Sequence, residues 1–129
     1  MASSKNCIGK FGMSFIISRS SDILGICIAI AVVIGSFSQA PDIPGGEGSD
    51  KVVHLLAYGI LAFFALLRRQ TRRGALAMIL AVIALGFMIE VLQPFVGRER
   101  EIADAMANSA GATVGAMLAF IRKRIRALV

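Results

Sequence analysis

Four apolar blocks, residues 23–37, 52–67, 74–93 and 103–121, take up most of a 129-residue chain. Three approach or match the roughly 20 residues with which a helix crosses a hydrocarbon core, and the first nears the lower limit of about 17 when extended to Ser38. The excess behind them is large: 57% of the residues are hydrophobic and 17% charged, where a soluble domain has roughly 45–50% and 25%. Mean hydropathy is +0.76. Too little chain lies between the blocks for a separate soluble domain, and nothing in the sequence suggests strands. The expectation is an all-α fold, a four-transmembrane-helix bundle over residues 23–121. Residues 1–22 are then an N-terminal tail and residues 122–129 a basic tail.

The net charge of +6 raises nucleic acid as a partner, but the distribution of the charge argues for topology instead. Lys5, Lys10 and Arg19 precede the first block, Arg68, Arg69, Arg72 and Arg73 fill the link between blocks two and three, and Arg122, Lys123, Arg124 and Arg126 follow the fourth. If every block crosses the membrane, these eleven lie on one side and only Lys51, Arg98 and Arg100 on the other. By the positive-inside rule the N and C termini are cytoplasmic. No nucleic acid partner is expected, and the basic stretches suit anionic lipid headgroups.

Cys7 and Cys27 are badly placed to pair, so both read as free thiols. Ser38 and Ala40 have the small-residue spacing of a signal-peptide cleavage site, whereas Pro41 after the cut and the long leader argue against cleavage. The first helix is therefore either retained or removed. The stretch SQAPDIPGGEGSD, residues 38–50, reads as an irregular loop, with Ser49 or Asp50 able to cap the helix that follows. Pro94 should end the third helix near Gln93.

Polar residues inside the blocks fall into stripes. At about 100° per residue, Asp50, His54 and Tyr58 lie within roughly 80° of one another, and Asp104, Asn108, Gly111 and Gly115 within about 60°. Glu90 and Gln93 share a face of the third helix. Every stripe lies at the end of its helix predicted to face outward. Ionisable groups within a span cost at least about 2.5–3.5 kcal/mol each near the middle and normally face the bundle interior. Three helices carrying them at one depth predict a shared pocket of Asp50, His54, Tyr58, Glu90, Gln93, Asp104 and Asn108, with Lys51 beside it and Arg98 above.

DKVVHLLAYGILAF, EVLQPFVGRE and DAMANSAGATVGAML, in that order and at family-like spacing, resemble the signature of the VanZ-like membrane proteins, a family named for a teicoplanin-resistance protein. The resemblance covers about residues 50–118, and it rests on Asp50, Lys51, His54, Tyr58, Glu90, Gln93, Gly97, Arg98, Asp104, Asn108, Gly111 and Gly115. It implies a bacterial cytoplasmic (inner) membrane, an envelope-related role and glycopeptide tolerance, but no defined reaction.

Structural readings stand beside these. Asp104 and Asn108 also serve as interhelical glue, His54 and Glu90 as a satisfied buried pair, Arg98 as part of a solvated charge run, and Lys51 as a snorkelling side chain. Gly111 and Gly115, with Ala107 and Ala119, form a small-residue ridge that lets helices approach closely. His54, Glu90 and Asp104 are in principle metal ligands, yet no HExxH or Cys-x-x-Cys motif accompanies them, so no metal or other cofactor is expected. Three functions stay open: a protein binding or modulating an envelope lipid or lipid-linked cell-wall precursor, an intramembrane enzyme acting on such a lipid, and a structural or partner-binding subunit. Oligomeric state is equally open.

Overall fold

The computed structural model describes residues 22–38, 48–67, 69 and 71–128. The N-terminal tail with Cys7, the Ala40–Pro41 junction of the cleavage reading and most of the following loop lie outside the described residues. Among the described residues there are four α-helices, one 3-10 turn and no strand: α1 (Asp22–Phe37), α2 (Ser49–Leu66), α3 (Arg72–Leu92), the 3-10 turn (Gln93–Val96) and α4 (Ile102–Arg126).

The helix ends follow from local chemistry, with two departures from expectation. Gly48, not Ser49 or Asp50, holds the N-cap position of α2, with φ at 104°. A side chain is strained there, so glycine takes the turn, and Asp50 meets the positive helix end from inside the first turn. Thr71 caps α3 by accepting the Gly74 amide at 3.1 Å. Pro94 cannot donate to a continuing α-helix. The chain tightens into the 3-10 turn and reverses at Gly97, whose φ is 77°. The second departure is in α4, which does not stop at Ile121 but runs through the basic residues to Arg126. Cations suit the negative end of a helix, and these ones have anchors. The Lys123 ammonium donates to the Arg69 carbonyl at 2.5 Å, and the Arg122 guanidinium lies 5.8 Å from the centre of the Phe63 ring. Partial burial pulls the Lys123 pKa below its ordinary value.

Packing is tightest between α2 and α4. A Cβ at Gly111 would stand 2.9 Å from the Leu55 carbonyl carbon, and one at Gly115 2.8 Å from that of Gly59, closer still to each oxygen. The two backbones therefore touch, and the small-residue ridge is used within one chain. Below that contact Tyr58, Leu61, Ala62 and Leu66 of α2 pack with Ala112, Ala116 and Ala119 of α4 and Ala75 and Val82 of α3. From α1, Ile28, Ala29 and Val32 lie against this core.

Two helical segments among the described residues are long and apolar enough to cross a membrane, Ser49–Leu66 with 18 residues and Arg72–Val96 with 25. α1 is apolar but shorter, and α4 carries Asp104, Asn108 and Ser109 besides its basic end. Large apolar side chains point outward on all four, among them Ile30, Ile60, Leu80, Phe87, Met117 and Phe120, while Glu90, Gln93, Asp104 and Asn108 are buried. Charged side chains are almost never fully buried unless they are paired.

Candidate functional site

The stripes of α2, α3 and α4 meet at the end of the bundle where the 3-10 turn links α3 to α4. His54 of α2 is held between two residues of α4. Its Nδ1 lies 3.0 Å from Asn108 Oδ1, and its Nε2 lies 3.6 Å from Asp104 Oδ2. The ring is thus held between an amide oxygen and a carboxylate, with Nε2 the nitrogen turned toward Asp104. Glu90 of α3 reaches the same place, and one carboxylate oxygen of Glu90, one of Asp104 and a ring nitrogen of His54 all lie within 4.8 Å of one another.

Lys51 closes the outer rim. Its ammonium donates to Glu101 Oε2 at 2.8 Å, lies 3.4 Å from Asp50 and 3.9 Å from Asp104 Oδ1. It is thus ion-paired rather than merely snorkelling. The Glu101 amide donates to Glu90 Oε2 at 3.3 Å, which fastens the entry of α4 to the end of α3.

Tyr58 lies one turn deeper on α2 with none of its surface exposed. Its ring meets Asn108 over Gly86 of α3, where a Cβ would come within 3.2 Å of the tyrosine ring and 3.1 Å of the Asn108 Cβ. Five buried polar atoms here have no hydrogen-bond partner among the described residues: the Tyr58 hydroxyl, Glu90 Oε1, Gln93 Oε1, Asp104 Oδ1 and Asn108 Nδ2. Buried polar atoms normally find partners, because an orphaned one costs about 1–3 kcal/mol. Five orphans in one cluster mark a site with unused binding capacity.

Gln93 and Arg98 are turned elsewhere. Gln93 Nε2 donates to the Ser36 carbonyl at 3.3 Å, and Arg98 Nη1 donates to the same carbonyl at 2.9 Å and to that of Ser38 at 3.3 Å. Together they satisfy the last carbonyls of α1, which a helix cannot satisfy internally. Arg98 is therefore neither a member of a solvated charge run nor a fork held free above the pocket. It also roofs a cavity of about 450 Å³ between α1 and α2. Asp50, His54, Tyr58 and Ser36 line one part of that cavity, and Ile28, Val32, Val53 and Ile60 line the rest.

Sequence reasoning left out Ser36, Gly59 and Gly86 and treated Glu101 only as one charge in a run. Glu101 had a legible signal, being the acid nearest the start of α4. The Ser36 carbonyl had none, since backbone acceptors look alike in every sequence.

The VanZ/LLP1 family model matches residues 26–123. The chain belongs to this family. That span includes most of α1 and all of α2 and α3, so the VanZ/LLP1 match takes in every residue of the polar cluster and reaches into α1, beyond the motif-bearing region. No curated protein matches the chain, and no solved structure matches it.

Proposed function

We propose that this VanZ/LLP1 protein crosses the bacterial cytoplasmic membrane four times, with both termini cytoplasmic. In this reading the cavity between α1 and α2 binds an envelope lipid or lipid-linked cell-wall precursor and so contributes to glycopeptide (teicoplanin) tolerance. The observation that carries this reading is the two-sided lining of the cavity. Apolar side chains of α1 and α2 suit an acyl or isoprenoid chain, while Arg98, Asp50, His54 and the Ser36 turn stand where a polar headgroup would lie. A few placed polar groups in an otherwise apolar pocket are the usual make-up of a small-molecule site. The outward apolar surfaces of α1 and α4 support their crossing as well, despite the shortness of one and the polar residues of the other.

Filling the cavity without touching the polar cluster tests the reading. Ala31→Phe and Gly35→Leu line it from α1, and each should abolish co-purification of lipid by native mass spectrometry while membrane abundance stays normal. Retention of the same lipid by both variants sinks the proposal. Glu90→Gln, Asp104→Asn and His54→Gln, scored for abundance and glycopeptide susceptibility, separate interhelical glue, in which both fall together, from a binding site, in which only the phenotype is lost. Reporter fusions at residues 45, 71 and 126 test the topology, and periplasmic activity at 71 or 126 reverses it.

A second reading, catalysis on the bound lipid, draws on His54 beside Glu90 and Asp104, a set able to move protons. Turnover of a lipid-linked substrate by the purified protein, lost in Glu90→Gln, would favour it over simple binding.

A further inference from the structure

We propose that His54, Glu90 and Asp104 bind one divalent transition-metal ion, of the zinc or manganese class. Each ligand comes from a different helix, α2, α3 and α4, so the ion would pin three helices at one point. The ligand atoms lie within 4.8 Å of one another. Metal bonds of about 2.0–2.2 Å put two ligands on one ion roughly 3–4 Å apart, so small side-chain rotations close the remaining gap.

Three further observations point to a cation here. The imidazole is placed as metal-bound imidazoles are, with Nδ1 on the Asn108 amide oxygen at 3.0 Å and Nε2 turned toward the carboxylates. That nitrogen faces Asp104 Oδ2 at 3.6 Å, too long for a hydrogen bond and close to the spacing of two ligands on one ion. Glu90 and Asp104 are 2% and 5% exposed, and one oxygen of each has no hydrogen-bond partner. Two buried carboxylates this close need compensating charge, and a dication offsets both.

A neighbouring set supplies the contrast. Asp50, Glu101 and Asp104 also bring three carboxylate oxygens within 4.8 Å, and they share Asp104 with the first set. The Lys51 ammonium already stands among them, at 2.8 Å from Glu101 and 3.4 Å from Asp50. In the inner set Lys51 comes no nearer than 3.9 Å to Asp104, beyond hydrogen-bonding reach. The outer triad already holds a side-chain cation, and the inner one has the geometry for an ion. An imidazole nitrogen among the ligands favours zinc or manganese over magnesium or calcium, which prefer oxygen alone. The site rests on these three residues and stands whether or not the neighbouring cavity holds a lipid.

The chain has a single histidine, so tag-free protein gives an unambiguous reading. Chelator-stripped protein in phosphatidylcholine nanodiscs is titrated with Zn²⁺ by calorimetry, and Mn²⁺-loaded protein is examined by pulsed electron paramagnetic resonance for coupling to an imidazole nitrogen. The expected result is one equivalent of Zn²⁺ bound and a nitrogen coupling, which can come only from His54. Loss of Asn108, an outer-shell partner, should weaken binding about 10–100-fold, and His54→Gln, Glu90→Gln or Asp104→Asn by more. Glu99→Gln, an exposed carboxylate outside both triads, should leave the affinity unchanged. Absence of binding up to millimolar Zn²⁺ overturns the proposal, as does bound Mn²⁺ without nitrogen coupling. A folded His54→Gln protein that binds like the wild type, or loss of binding in Glu99→Gln alone, does the same. If the ligand variants fail to fold, the wild-type nitrogen signal decides the matter alone.

Discussion

Gly111→Ala tests whether the α2–α4 backbone contact holds the polar site together. The new methyl carbon would stand 2.9 Å from the Leu55 carbonyl carbon and 3.0 Å from its Cα. Real Cβ contacts lie near 3.4–4 Å, and the opposing atoms are helical backbone, which cannot swing aside as a side chain can. The helices must therefore part by about 1 Å, and overpacking of this kind destabilises by roughly 1–3 kcal/mol. The movement has a second consequence. Leu55 follows His54 directly and Gly111 lies one turn from Asn108, so the same parting stretches the 3.0 Å His54–Asn108 contact to about 4 Å, beyond hydrogen bonding. Fluorescence-detected thermal unfolding in detergent should show the variant melting several degrees lower. Gly35→Ala is the control, because a Cβ there meets nothing within 4 Å. An unchanged melting temperature in Gly111→Ala, with Gly35→Ala also unchanged, would refute the claim that the backbones touch.

Arg98→Ala removes one of two donors to the Ser36 carbonyl and the donor to the Ser38 carbonyl, Gln93 staying on Ser36, and should destabilise by about 0.5–1.5 kcal/mol, read as faster proteolysis after Phe37 than in the wild type. Thr71→Ala removes the side chain that accepts the Gly74 amide and should lower stability by about 0.5–2 kcal/mol, measured by thermal melting. Tyr58→Phe deletes a buried hydroxyl that lacks a partner, so the empty protein should be as stable as the wild type or slightly more so. Any fall in lipid retention by the same variant then reports a contact between the hydroxyl and the bound molecule.

Much of the site was legible because period and solvent act on side chains. Asp50, His54 and Tyr58 repeat at one helical turn, and burying such groups at matched depth in three apolar helices leaves them few places to go but toward one another. Gly111 and Gly115 were legible for the same reason, as a ridge of small residues on one face. The boundaries were less so. Ser49 and Asp50 have better capping chemistry than Gly48, yet the chain enters α2 through a left-handed turn that favours glycine. The basic residues after Ile121 look like a tail in sequence, and only their anchors on Arg69 and Phe63 show why the helix continues. Arg98 was legible in its place above the pocket, where it lines the cavity with Asp50, His54 and Tyr58, but not in its partners. Its charge suggested an anion, while its partners are the backbone carbonyls of Ser36 and Ser38, and such acceptors carry no sequence signal.

The placement of Arg98 links the first helix to the rest of the site. α1 bears no motif, and its apolar side chains make only general contacts with the core. What sets its end is a pair of polar side chains from beyond α3, Gln93 and Arg98, meeting at one carbonyl. The Ser36 turn is also part of the cavity wall that faces Asp50 and His54. A guanidinium drawn toward a headgroup, as proposed above, would give up the Ser38 carbonyl while Gln93 keeps that of Ser36. An arginine has donors enough to keep the Ser36 carbonyl and meet a headgroup together, so the end of α1 stays fixed in the proposed binding.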